Sequence, residues 1–312
     1  MLLRSWKLLA LLGACLLLAS CGGILDPKGQ VASHEKTLIL VATGLMLIVV
    51  LPVIFMTIYF AWRYRASRSN EVYDPKWSRS HAIEAVIWLI PLVIILVLGT
   101  ITWRSTHVLD PYKPLDDEQP PLVIEVVSLN WKWLFIYPEQ GIATVNELVF
   151  PAHQHLQFKL TSESTMNSFF IPQLGSQIYC MAGMETKLHL VADEPGEFQG
   201  FSANYSGAGF SGMKFIAMAT SPEAFADWVD EVKSAPNSLG QRQYQQLAEP
   251  SEAHAIEYFA QVEKGLFQQV MHKYMKNYNS WKSKSGDHAQ GQHSSPHAAH
   301  QSGSASASAK ES

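Results

Sequence analysis

Trp131-Lys132-Trp133-Leu134-Phe135-Ile136-Tyr137 carries an aromatic ring at every second position. A repeat of two is that of an extended strand, where alternate side chains share one face. Similar short runs follow in both directions: Val123–Val127, Asn146–Phe150, His155–Leu160, Thr186–Val191, Gly196–Phe201 and Met213–Met218. Several short β-branched and aromatic runs with turn residues between them predict an all-β sandwich or barrel over about 120–220.

On the C-terminal side, Ser221-Pro222-Glu223 reads as a helix start, with Ser as cap and Pro in the first turn. Phe225, Trp228, Val229 and Val232 then repeat at helical spacing. Further helical pieces carrying Tyr244, Tyr258, Phe259, Phe267 and Tyr274 extend this arm to about residue 282. From Ser283 the chain is Ser, Ala, Gly and His without an apolar face, the composition of a disordered tail. Its His288, His293, His297 and His300 are irregularly spaced, either a solvated spacer or the weak signature of a copper carrier.

On the N-terminal side, Pro111, Pro114, Pro120 and Pro121 mark a linker over 104–119. Before it lie two apolar runs, 38–62 and 82–103, interrupted by Pro52 and Pro91. The first, as a helix, spans about 37 Å against a hydrocarbon core of about 30 Å. Tyr59, Trp62, Trp88 and Trp103 stand near the ends, where aromatic side chains favour the membrane interface. The connecting loop, 63–81, holds Arg63, Arg65, Arg68, Lys76 and Arg79 against Glu71 and Asp74, so the positive-inside rule places it in the cytoplasm.

Residues 1–20 have a basic start, Arg4 and Lys7, then a short apolar run, ending in Leu18-Ala19-Ser20-Cys21. That is the pattern of a secretory signal. Leu-Ala-Ser-Cys also resembles the lipobox of bacterial lipoproteins, which implies cleavage before Cys21, a lipid on its thiol and acylation of the new amino terminus. Residues 21–37 are then a periplasmic tether, and both ends of the helical hairpin face the periplasm.

Composition agrees with this plan. Of 312 residues, 47% are hydrophobic and only 16% charged, and the formal charge is −4. Such a balance suits a membrane protein better than a soluble enzyme and gives no electrostatic footprint for nucleic acid. Of three cysteines only Cys180 lies beyond residue 22, which excludes a disulfide framework and a Cys-rich metal cluster. Cys180 reads as a small buried core residue. Glu84 departs from the apolar pattern one turn into the second run. A carboxylate there is a proton-entry group, a contact to a partner helix or a snorkelling interfacial side chain.

Two membrane spans followed by an exported sandwich resemble subunit II of the haem–copper terminal oxidases, in which the sandwich is a cupredoxin. Members that accept electrons from cytochrome c carry a copper loop, G-Q-C-S-E-I-C-G-x-x-H-x-x-M, and an upstream His before S-F-x-I-P. Here the loop runs from Gly200 to Met213 and the upstream stretch from Met166 to Gly175, aligned without a gap. The resemblance sets Asn167 at the upstream His, Ser202 and Ser206 at the bridging cysteines, Asn204 at the Glu between them and Phe210 at the second His; Met213 alone matches. A dinuclear copper site needs soft thiolates and imidazoles, which hydroxyls and amides do not replace.

A copper-free sandwich resembles subunit II of the cytochrome bo-type ubiquinol oxidases of proteobacteria. Leu45–Val50, Trp131–Trp133, Phe135–Glu147 and Gly209–Lys214 carry the likeness, within a match from about Leu25 to Tyr278. It implies a non-catalytic subunit of a proton-pumping ubiquinol oxidase in the bacterial inner membrane. Haem and copper would sit on subunit I, with smaller subunits III and IV and membrane lipid as other partners, and no cofactor on this chain. It also implies a proton-channel entrance at Glu84, and packing, rather than electron entry, for Trp131.

Overall fold

A computed structural model of the chain describes residues 23–65, 78–115 and 120–275. Cys21, most of the basic loop and the His-bearing tail lie outside the described residues.

Two helices, α1 (Gln30–Arg63) and α2 (His81–Val108), are long and apolar enough to cross a membrane. Pro52 and Pro91 lie inside them. Both helices outrun the apolar stretches that announce them, α1 by eight residues at its start. Those residues are helical because the sandwich holds them. The Lys28 N–H donates to the Gln173 carbonyl at 2.7 Å, and the Ala32 N–H to that of Leu174 at 3.3 Å. Gly29 permits this approach, since a Cβ there would stand 2.5 Å from the Val191 carbonyl oxygen. Beyond Ala32 neither helix buries a residue within the chain, leaving two apolar surfaces for lipid or other subunits.

The sandwich has two sheets. The first comprises β1 (Leu122–Ser128), β2 (Trp133–Tyr137), β3 (Ile142–Val145), β5 (Leu156–Ser162), β8 (Thr186–Leu190) and β12 (Glu257–Phe259), in the order β12-β3-β2-β1-β5-β8. The second comprises β4 (Glu147–Pro151), β6 (Asn167–Phe170), β7 (Ile178–Cys180), β9 (Gly196–Ser202) and β10 (Lys214–Thr220), in the order β4-β10-β9-β6-β7. β1 runs parallel to β5 and β4 parallel to β10; the remaining pairs are antiparallel.

The aromatic alternation of β2 now has a cause. Trp133, Phe135 and Tyr137 face the core between the sheets, where Trp133 meets Phe169 at 5.3 Å and Phe135 meets Phe215 at 5.1 Å. Leu134 and Ile136 face the opposite way into a second core with Tyr244, Leu247, Leu266 and Phe267. Both faces are buried, so the strand alternates aromatic with aliphatic rather than apolar with polar.

That second core is roofed by the C-terminal arm. The arm contains α3 (Pro222–Lys233), capped by the Ser221 hydroxyl, α4 (Gln241–Ala248) and a last helix, α5, described over 266–275. It is not helical throughout. β12 adds an edge strand to β3, while β11 (Ser238–Leu239) pairs with β13 (Gln261–Val262). Covering a sheet edge in this way also protects it from pairing with another chain.

Candidate functional site

The loop end of the sandwich is built by β6, β9 and the turn before β10. β6 and β9 are antiparallel neighbours, with Phe169 opposite Ser202, so Asn167 and Ser202 arrive side by side. Both are buried. The Ser202 hydroxyl donates to Asn167 Oδ1 at 3.0 Å and lies 3.3 Å from the Asn204 carbonyl. Asn204 Nδ2 donates to the Met166 carbonyl at 2.9 Å, and Asn167 Nδ2 to that of Thr165 at 3.2 Å. Ser202 N–H donates to the Met213 carbonyl at 3.1 Å, which brings buried Met213 beneath the same loop.

Ser206 and Phe210 lie on the outer half of the loop. The Ser206 carbonyl accepts the Trp131 indole N–H at 3.0 Å, while its buried hydroxyl has no partner among the described residues. Trp131 has φ +65°, a left-handed backbone that throws its ring over the loop. Gly209 accommodates that ring, since a Cβ there would stand 2.5 Å from the indole. Phe210 packs edge-on against the exposed ring of Tyr205.

The cluster thus offers two hydroxyls, two carboxamides, one thioether and a phenyl ring. Every one of these is neutral at pH 7. Cys180 is adjacent, paired with Asn167 across β6 and β7, and fully buried. Burial pushes its thiol up to about 12, so it stays protonated at neutral pH. Among the described residues no group of three or more His, Cys, Asp or Glu side chains is placed to hold a metal ion.

Glu84 stands far from this cluster, in the first turn of α2, with its side chain about half exposed. His81 Nδ1 lies 3.6 Å from its carboxylate. A carboxylate in a first turn also meets the positive end of the helix dipole.

A third cluster lies where the arm meets the sandwich. Glu163, buried just after β5, takes the Tyr244 hydroxyl at 2.8 Å and the Lys273 ammonium on its carboxylate. The Tyr274 hydroxyl donates to its backbone carbonyl. Buried Lys132, just before β2, also reaches the arm, donating to the Glu249 carbonyl at 2.9 Å and to Ser251 Oγ at 2.5 Å. Glu147 accepts from Tyr258 at 2.5 Å and from the Trp228 indole at 3.4 Å. The only forewarning was the density of tyrosines in the arm, which reads equally as plain packing.

Comparison with known proteins sharpens this picture. Residues 139–220 match the family model described as cytochrome c oxidase subunit II, periplasmic domain. Residues 233–277 match the model described as the COX aromatic rich motif. The chain is 58% identical over 283 residues to cytochrome bo(3) ubiquinol oxidase subunit 2 of Pseudomonas aeruginosa, covering 90% of this chain and 86% of the relative. It is 55% identical over 266 residues to ubiquinol oxidase subunit 2 of Acetobacter aceti, covering 84% of this chain and 86% of the relative. Among solved structures, the periplasmic domain of cytochrome oxidase subunit II of Bradyrhizobium japonicum aligns with 36% of this chain and 94% of its own, at 21% identity and a TM-score of 0.35.

Proposed function

The chain belongs to the ubiquinol oxidase subunit II family, and we propose that it is the copper-free, non-catalytic member of a proton-pumping complex that oxidises ubiquinol and reduces dioxygen to water. The observation that carries this reading is the donor set at the loop end. Asn167, Ser202, Asn204, Ser206 and Phe210 do not fit a pair of copper ions, and no step is routed through such a pair. A quinol dissolves in the bilayer and delivers its electrons to the haem-bearing subunit I directly. The sandwich then serves as a cap on that subunit, with Trp131 as packing.

The remaining assignments follow the same reading. The two helices cross the inner membrane, the loop over 63–81 faces the cytoplasm, and the sandwich and arm are periplasmic. Cys21 carries lipid. Subunits III and IV complete the assembly, and Glu84 stands at the mouth of a proton channel in subunit I, its position at the cytoplasmic end of α2 and its exposure supporting the role.

Metal analysis and donor preference of the purified complex test the proposal. The expected result is haem and copper attributable to subunit I alone, with oxidation of ubiquinol but not of cytochrome c. Replacing Asn167→His, Ser202→Cys, Asn204→Glu, Ser206→Cys and Phe210→His together should introduce a purple charge-transfer band absent from the parent. The same band in the parent would sink the reading. For Glu84, the Glu84→Gln complex should retain its haem content but turn over several-fold more slowly with diminished proton uptake; unchanged turnover and uptake would remove the residue from the proton path. Mass spectrometry of the mature N-terminus, with Cys21→Ser as control, checks the lipid.

A further inference from the structure

Where the start of α1 and the end of α2 meet the sandwich, a cavity of about 150 Å³ opens between them. Its polar lining is drawn from three parts of the chain: Gln30 and His34 on α1, Asp110 and Lys113 in the turn after α2, and Ser176 and His189 on the sandwich. Among the described lining residues Asp110 and Lys113 are the only formal charges, one of each sign.

His189 makes this a built site rather than a crevice. It is 96% buried, being 4% exposed, yet no motif or packing role accounts for it. Its Nδ1 lies 2.7 Å from His155 Nε2, and its Nε2, on a ring that lines the cavity, has no hydrogen-bond partner among the described residues. When His155 donates across the pair, His189 takes the tautomer that presents Nε2–H to the cavity. His34 offers the complementary group. Its Nδ1 bonds the Gln30 carbonyl at 2.9 Å, which leaves Nε2 as an acceptor in the neutral ring. Asp110 spends one carboxylate oxygen on the Tyr112 N–H at 2.9 Å and keeps the second.

With His155 donating across the pair, the cavity presents Lys113 and His189 as donors and Asp110 and His34 as acceptors. A net anion would meet Asp110 unfavourably, and a net cation would meet Lys113 in the same way. A zwitterion carrying both charges satisfies each. Height selects the class of zwitterion. His34 lies one turn outside Leu38, where the apolar stretch of α1 begins, and Val108 ends α2. This is the level of lipid headgroups when the helices span a bilayer. Val31, Val108 and Leu188 supply an apolar wall of the kind a glycerol backbone meets.

We propose that this cavity binds the phosphoethanolamine headgroup of a membrane phospholipid, with its phosphate on Lys113 and His189 and its ammonium on Asp110 and His34. The site rests on the reading that the helices cross the membrane with these ends outermost. Charge-assisted hydrogen bonds to both ends of the headgroup discriminate it from lipids that lack a primary amine.

The test is lipid retention by the assembled oxidase, measured by native mass spectrometry after detergent delipidation and add-back. Phosphatidylethanolamine, phosphatidylglycerol and soluble glycerophosphoethanolamine are compared. The expected result is one tightly retained phosphatidylethanolamine, with phosphatidylglycerol about tenfold weaker. The Asp110→Asn, Lys113→Gln double variant, altered only at exposed side chains, should lose about tenfold in phosphatidylethanolamine affinity and with it the preference. His189→Gln should weaken retention by a similar factor. Equal retention of the two lipids, or parental retention by the double variant, overturns the site. Glycerophosphoethanolamine binding as tightly as the lipid overturns the membrane source. Haem content and quinol turnover of the same preparations report separately on the underlying reading, whose failure would appear as a chain that does not assemble with a haem-bearing subunit.

Discussion

Two regions of the sandwich, the loop cluster and the seam with the arm, treat polar groups in opposite ways. At the loop end, Asn167, Ser202 and Asn204 are neutral and bond to one another or to nearby carbonyls, and the Ser206 hydroxyl bonds to none of the described residues. At the arm seam, Glu163, Lys132 and Glu147 carry charge into buried positions, and every one has specific partners on the arm. Burying an ion without partners costs several kcal/mol, whereas a neutral hydroxyl costs far less. A region of neutral polar groups can therefore change its side chains and keep its fold. A region that carries buried charge cannot lose one partner without consequence. The arm, on this contrast, holds more of the domain's stability than the loop end does.

The largest expected effect tests the arm. Glu163→Gln removes the charge that Lys273 and Tyr244 address; the Lys273 ammonium is more than half exposed and is left in water, so the cost should be about 2 kcal/mol, that of weakened hydrogen bonds to a buried carboxylate. Thermal unfolding of the full chain in mild detergent would measure it, and limited proteolysis should release the arm first. A loss below about 0.5 kcal/mol, typical of an exposed ion pair, would erase the contrast between the two regions.

Lys132 sharpens it with a pH dependence. Burial lowers its pKa in the folded chain, against smaller opposing effects of Glu257 and Glu249. Between that lowered value and 10.5 the unfolded chain binds the additional proton, so stability should rise with pH through this window. Above about pH 10 the sign reverses, because burial raises the phenol pKa of Tyr137, Tyr244 and Tyr258, and the unfolded chain loses those protons first. Lys132→Met should flatten the rising part while changing stability at pH 7 by no more than about 1 kcal/mol, since a well-packed apolar replacement of a buried charge is close to neutral. A rising limb that persists in Lys132→Met would assign it to another group.

The sequence made the sandwich legible through strands whose side chains alternate or run apolar, β1, β2, β5 and β10 among them. It hid those whose residues serve other ends. Asn167–Phe170 reads first through its likeness to the family's upstream motif and only then as β6, and Ile178–Cys180 is too short to show a period. Glu257–Phe259 becomes a strand because β3 offers an unpaired edge, a tertiary fact with no local signal. The loop-end positions were legible because a gapless frame fixes them, and the β6–β9 register, with Phe169 opposite Ser202, brings the Asn167 side chain within hydrogen-bond reach of Ser202. The Glu163 clasp was not, since its partners lie 81 to 111 positions away and tyrosines announce area, not hydroxyl partners.

The smallest expected effect falls at the loop end and has the opposite sign. The Ser206 hydroxyl is buried without a partner among the described residues, while the indole of Trp131 is held by the Ser206 backbone carbonyl, which any side chain would leave in place. Ser206→Ala removes the unpaired oxygen and nothing the loop uses, so it should be neutral to stabilising by up to about 1 kcal/mol. Ser202→Ala, in contrast, strips a donor from buried Asn167 and should cost about 1 kcal/mol. Chemical denaturation of the two variants beside the parent decides the matter. If Ser206→Ala destabilises as much as Ser202→Ala, the outer hydroxyl has a partner of its own in the assembled protein, and the loop is a working contact.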